Sequence, residues 1–366
     1  LRPFRAFRKR FGTGGAAIPV FCRKTERWIK KAARSGGLFS IHFRHAWHRK
    51  QVFDSASLIW YTVGKNGKES SARQTRGGIK MKIIENERFG RERALYRSDG
   101  VLLKNCRFAG EEDGESALKE SRNVAAEHCY MDLRYPFWHV HGLRLSDCVL
   151  TEHCRAALWY SEEIAIQSCM MNGIKALREC RGIALENVAA HSPEFGWRCR
   201  DIKIKDSSVE SEYAFFESRS IRADGLRLAG KYTFQYTKNV RISRSVLNTK
   251  DAFWHAKNVT VVDSEIDGEY LGWYSEGLTL IRCHIKGTQP LCYCKNLKLI
   301  DCTTENCDLA FEYSGVQADI RGGIDSIKNP RRGVIRADSV GEIIRTSDSV
   351  FPSHARIYAG RRTDKK

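Results

Sequence analysis

Glu217 and His255 stand 38 residues apart with Tyr236 midway between them, and Glu194 and Asp251 are separated by 57, so both pairs are spaced by multiples of 19. A carboxylate and an imidazole held together can serve as general acid and base. Glu217, His255, Asp251 and Glu194 are therefore the candidates for proton transfer. If successive 19-residue units lie one strand apart, Glu217 and His255 fall roughly 9.6 Å from each other and Glu194 and Asp251 about 14 Å. The second distance exceeds the usual span of two cooperating glycosidase carboxylates. The spacing permits an acid–base site without demanding one, and whether the chain is an enzyme stays open.

The interval runs through most of the chain. Apolar residues recur at Ile164, Ile183, Ile202, Ile221, Val240, Val259, Leu278, Leu297, Val316 and Ile335, and Leu143, Val124 and Val101 extend the series backwards at spacings of 21, 19 and 23. Such a period is the mark of a solenoid. Each unit reads as three short strands joined by turns, with a polar corner at Asn105, Asp147, Asn187, Asp206, Asp263 and Asp301. No unit holds enough helical periodicity for a helical repeat. The units predict an all-β chain, a single-stranded right-handed parallel β-helix with 19-residue coils. Residues 101–345 form the helix, 81–100 an N-terminal cap and 346–366 a C-terminal tail.

The third strand of each coil is aromatic, as in Asp251 to Ala256, and its alternation divides the residues between two faces. One face carries Ala252, Trp254 and Ala256. The other carries charge at both ends of an apolar middle, and burying so many carboxylates would cost several kcal/mol each, so this face is expected outside. Phe137, Leu158, Phe215, Phe234, Phe253 and Leu291 then form an exposed apolar stripe flanked by tyrosine, histidine and acids. The inverse assignment survives, because Arg178 and Gln235 sit awkwardly in the ring position called interior. Rings beside carboxylates and hydroxyls suit an oligosaccharide or another extended polar ligand. The candidate ligand-binding residues are Tyr135, Phe137, His139, Tyr160, Tyr213, Phe215, Phe234, Tyr236, Phe253 and Tyr274. Alternatively the stripe is a dimer or protein-partner surface of a non-catalytic β-helix, or is covered by the tail.

Of 13 cysteines, Cys106, Cys129, Cys148, Cys169, Cys283 and Cys302 share one place in the coil, where other coils carry Val188, Ser207, Ser245 and Ser264. Small, weakly polar residues stack well in a narrow interior. Paired Cys-x-x-Cys spacings are absent, so no metal is expected, and no motif asks for a cofactor. Stacked thiols, with neither a signal peptide nor an apolar run long enough to span a bilayer, point to a reducing cytoplasm.

Charge is uneven. The chain is formally +19, yet residues 1–80 hold 19 basic and 3 acidic residues and the remainder is close to neutral. The basic segment has no sustained period, and Arg76 to Met81 back-translates to a purine-rich ribosome-binding sequence before a start codon. Residues 1–80 therefore read as non-native upstream translation or as a disordered basic arm. No nucleic-acid or membrane partner is expected for residues 81–366, and a homo-oligomer is possible.

The stretches Gly114 to Asn123, Leu133 to His139, Cys154 to Tyr160, Ser192 to Cys199, Gly268 to Leu278 and Ser326 to Pro330 resemble, in order, a bacterial family known as domain of unknown function 3737. The resemblance runs from about Met81 to about Arg345. It implies a right-handed β-helix of pectin-lyase-like architecture and brings no established reaction. Neither an Asn-Thr-Asp nor a paired-Asp motif of polygalacturonase type occurs, and Asn248 to Asp251 does not match one.

Overall fold

The computed structural model describes residues 73–76, 79–110 and 114–360. The expectations for residues 1–72 and 361–366 lie outside the described residues. Alternation builds the coil. In Arg200–Lys205, Ile202 and Ile204 are buried while Lys203 and Lys205 are exposed, so extended backbone turns one face to a core. The chain then bends at Asp206, whose φ is 46°, and runs on as Ser208–Ser211. Asn105, Asp147, Asn187, Asp263 and Asp301 repeat the bend with φ of 51–59°, a left-handed conformation that Asn and Asp adopt more readily than most residues.

Coils stack in parallel register, with Ile183 against Ile164 and Ile202, and Ile221 against Ile202 and Val240. The result is a parallel β-solenoid of about 14 turns of ~19 residues. Among the described residues the one helical element is the 3-10 turn Glu152–Cys154. It occupies the coil in which Leu143 meets Ile164, and so accounts for a spacing of 21. The last step is tighter than the repeat suggests: Val316 pairs with Gly333, and Ile335 with Ala318. Gly333 has φ 115°, and a Cβ there would run into the Val316 carbonyl, so this closer turn needs glycine.

Three features go beyond the sequence reading. The segment 81–100 contributes strands to the stack: Ile79–Glu85 lies parallel to Asp99–Lys104, and Arg88–Phe89 to Arg107–Phe108. On its other edge Ile79–Glu85 pairs antiparallel with Arg73–Arg76. Within the C-terminal tail, Arg356–Ala359 adds a parallel strand to Val334–Ala337. The aromatic third side is mostly turn: among the described residues its strands are Phe137–Trp138, Leu158–Trp159 and Leu177–Arg178, with single parallel bridges between Arg178 and Trp197 and between Ala310 and Ile327.

That last difference overturns the face assignment. Period-two alternation holds only for extended backbone, and Asp251, Phe253 and His255 have φ of 54°, 60° and 55°. Each left-handed residue re-aims the chain, so Ala252, Phe253 and Ala256 all point inward and His255 outward. Phe137, Leu158, Phe215, Phe234 and Phe253 are 0 % exposed and Leu291 is 1 %. The stripe is therefore part of the core, where Phe215, Phe234 and Phe253 stack at centroid spacings of 5.0 and 5.2 Å. Full burial of each such ring stabilises the fold by about 1.5–3 kcal/mol. The cysteine column is interior as expected, and the twelve described cysteines are free and buried.

Candidate functional site

With the phenylalanines inside, the residues at the end of each aromatic turn are what water meets. They form a column, His139, Tyr160, Glu179, Arg198, Glu217, Tyr236, His255, Tyr274 and Tyr293, every one with φ between 52° and 60°. Aromatic side chains rarely hold this backbone, and it persists where surroundings over-determine it. Here the determinant is stacking. Tyr236 lies on His255 at 4.9 Å and 10°, His255 on Tyr274 at 5.0 Å and 7°, and Tyr274 on Tyr293 at 4.7 Å and 13°. The spacing is that of the strands themselves.

This ladder forms one wall of an open trough of about 670 Å³, also lined by Glu217. The opposite wall is the first position of the next strand in each coil, Arg219, Lys238, Lys257 and Lys295, interrupted by Glu276. Between the walls runs a buried row of small residues that makes the corner tight. Ser218 shows how: its hydroxyl donates to the Gly196 carbonyl at 2.5 Å and accepts the Cys199 N–H at 2.8 Å, linking adjacent coils. Cys294 does likewise, its thiol donating to the Gly272 carbonyl at 3.1 Å.

The chemistry of the trough follows from which parts of each ring are free. Neighbouring rings occupy the faces of His255 and Tyr274, so the ladder turns edges and polar tips outward. Tyr236 is 46 % exposed and Tyr274 45 %. The hydroxyls of both, and the imidazole of His255, have no protein hydrogen-bond partner among the described residues. Burial, followed by the nearby Glu312 carboxylate, pushes the Tyr293 phenol up to about 12, so at neutral pH it is a hydrogen-bond donor and not a base. Glu217 is held by Arg198, Nε to Oε2 at 2.7 Å.

The structure brings Glu217, Tyr236, His255 and Tyr274 together and separates the other candidates. His139 and Tyr160 belong to the same column, with rings 5.1 Å apart, but Glu179 and Arg198 intervene. Tyr135, Tyr213, Glu194 and Asp251 lie at the opposite end of the turn. There Tyr213 stacks on Tyr232 at 4.8 Å, and Glu194 receives Arg178 at 3.1 Å and Lys175 at 3.8 Å. Asp251 is only 6 % exposed and its Oδ1 has no partner. Phe137, Phe215, Phe234 and Phe253, being interior, cannot touch a ligand.

The two residues that fitted the ring position badly are explained by its true place. It is half-buried on the outside of the coil. Trp197, Trp254 and Trp273 each donate their indole N–H to a carbonyl sixteen residues on, and Gln235 does the same through Nε2 to Asp251. Arg178 takes the ring's place between Trp159 and Trp197, 5.5 and 5.1 Å from their centroids, a cation–π sandwich. The cationic wall was missed in the sequence because total charge was read by segment. Its signal is there in the repeated stretches Arg200–Lys205, Arg219–Asp224 and Lys238–Ser243, each opening on a base and carrying another three residues later.

Residues 82–358 match a family described as "Protein of unknown function (DUF3737)". A search of curated proteins finds no match. Solved structures similar to this chain include a double mutant of the tailspike protein of E. coli bacteriophage HK620, at 8 % identity and TM-score 0.34, with 72 % of this chain and 60 % of that one covered. This chain thus spans less than two thirds of the tailspike's length. PfbA, a surface adhesin of Streptococcus pneumoniae, aligns at 8 % identity and TM-score 0.32, covering 68 % of this chain and 86 % of PfbA. The A-module of the Azotobacter vinelandii mannuronan C-5 epimerase AlgE4 aligns at 10 % and 0.27, covering 76 % and 89 %. Among the described residues no helix is long and apolar enough to cross a membrane.

Proposed function

Since the chain belongs to the DUF3737 family, which carries no assigned function, we propose from its own geometry that the solenoid binds an extended polar polymer, an oligosaccharide chain, along the trough. One observation carries this reading: the ladder from Tyr236 to Tyr293 repeats an unsatisfied polar edge at every coil, opposite a row of charged side chains. A linear ligand with a repeating unit can meet such rungs one after another. Recognition runs through hydroxyls and imidazole nitrogen rather than ring faces, which the stack occupies. Binding accounts for the site more simply than catalysis, because Glu217 is engaged by Arg198 and the Tyr293 phenol is hard to ionise. The buried, unpaired thiols support a reducing compartment, which we take to be the cytoplasm.

The reading is tested by a glycan-array screen followed by calorimetry on Tyr274→Ala, His255→Ala and Phe253→Ala. The first two are expected to weaken binding about tenfold or more while stability stays within about 1 kcal/mol. Phe253→Ala is expected to lose about 3–5 kcal/mol of stability by leaving a cavity. Glycan affinity insensitive to Tyr274 and His255, or an array with no binder, would refute the proposal.

A further inference from the structure

The near-neutral total of the solenoid hides a block of positive charge on its first sheet. Three consecutive strands, Arg200–Lys205, Arg219–Asp224 and Lys238–Ser243, stack in register. Arg200, Arg219 and Lys238 form one column, and Lys203, Arg222 and Arg241 a second. All six are exposed, and none makes an ion pair among the described residues. The block ends on both sides: Arg181 pairs with Glu162 at 2.8 Å and Lys257 with Glu276 at 3.2 Å, while Ala184 and Thr260 stand in the second column. Arg219 and Lys238 of the first column line the ladder trough. The second lines a parallel depression of about 660 Å³ in which Asp201 is the one acidic lining residue.

Like charges directly opposite one another on neighbouring strands destabilise a sheet, here at spacings of about 4.8 Å. Several facing positions elsewhere carry opposite signs, as in Lys205 with Glu186 at 2.6 Å and Arg282 with Asp263 at 2.6 Å; Arg88 facing Arg107 is a single like-charged pair, not a block of six. Folding gives no reason to gather six unpaired cations here, and an anionic ligand does. Accepting the trough as a polymer site, on which this inference rests, we propose that its ligand is a linear acidic polysaccharide with an anionic group on each sugar. The chain lies along the rod axis, its hydroxyls toward the ladder and its anions on the six cations. A pyranose unit in an extended chain advances by nearly the height of one coil, so charge can meet charge repeatedly. A single-stranded nucleic acid fits less well, because it needs free ring faces for base stacking and the ladder has used them.

The test is calorimetric titration of the full chain with polygalacturonate, alginate and neutral dextran of matched length, at about 0.02 M and about 0.2 M salt. A triple variant, Arg222→Gln, Lys238→Gln and Arg241→Gln, isolates the block from the basic residues 1–80, which both proteins keep. Expected are acidic-glycan binding that weakens about tenfold at the higher salt, a further loss of about tenfold or more in the triple variant, and an unliganded Tm in that variant equal to or above wild type. Acidic-glycan binding unchanged in the triple variant would overturn the inference. Neutral dextran bound as tightly as polygalacturonate would overturn it too, leaving the trough reading intact. Oligodeoxythymidine or phosphatidylserine vesicles competing through the same three residues would replace the glycan with a general polyanion or a membrane surface. Binding of neither kind of glycan would end both readings.

Discussion

Asp251 occupies a place in its coil where neighbouring coils carry Tyr232 and Tyr270, and it is nearly as buried as the core around it. Burial raises its carboxyl above the ordinary 3.8, and the nearby Glu269 adds to this against the opposing effect of Lys250. The folded protein then holds a proton that the unfolded chain has released, so stability falls as pH rises through the interval between the two pKa values. Below about 3.8 both states are protonated and the cost vanishes. Asp251→Asn should accordingly be more stable than wild type at pH 7, with the gain disappearing near pH 3.5. Denaturant melts at the two pH values check this; an Asn variant less stable than wild type at pH 7 would show that the carboxylate has a compensating partner. Strict alternation would place Asp251 on one face with His255. The left-handed backbone at 251, 253 and 255 breaks that rule, and such torsions leave no trace in residue type when the residues concerned are aromatic rather than glycine.

A coil is legible where its backbone is extended. The inward columns of the first strand, its polar corner and the cysteine positions could all be read from a 19-residue period, because β geometry converts spacing directly into direction. The third side could not, since it is built from turns, and with it went the distinction between core phenylalanines and surface ladder. The spacing nevertheless brought Tyr236, His255 and Tyr274 into one column correctly, because register depends on coil length and not on which way a side chain points. The cysteine column makes a prediction at this scale. Its thiols bond to the backbone of adjacent coils, as when the Cys148 N–H donates to Cys169 Sγ at 3.2 Å and the Cys148 thiol to the Ala126 carbonyl at 3.4 Å. Outside the column, desolvation pushes Cys154 and Cys307 up to about 12 and Cys294 up to about 11; within it, hydrogen bonds from Cys148 and Cys283 lower the thiols of Cys129, Cys169 and Cys302, so it is burial that keeps a reagent from them. In a Cys22→Ser protein, none of the other twelve cysteines should react with DTNB at pH 8 until the fold is opened, and all should then appear together. One thiol reacting rapidly under native conditions would mean that its coil opens independently of the rest.

At the scale of the whole solenoid, each coil touches only its neighbours, so stability is close to a sum of coils and their interfaces. Removing residues 219–237 joins Ser218 to Lys238, the residue that already pairs with Arg219, and returns every column to register. Such a deletion should fold cooperatively, with Tm lowered by ~2–4 °C for each kcal/mol of lost contact. Removing 219–228 instead shifts the following inward residues out of their columns, exposing core and burying charge, and should leave no cooperative transition by circular dichroism. If both deletions melted alike, coil register would not be what holds this fold. The whole-coil deletion also takes away Arg219, Arg222 and Tyr236, bringing His255 beside Glu217 and shortening the cationic block from three coils to two. Because the trough is a row of equivalent rungs rather than a single centre, its affinity for a long glycan should fall in proportion to the rung removed and not disappear. A complete loss would instead point to one indispensable set of groups around Tyr236, a site of the kind a catalytic centre requires.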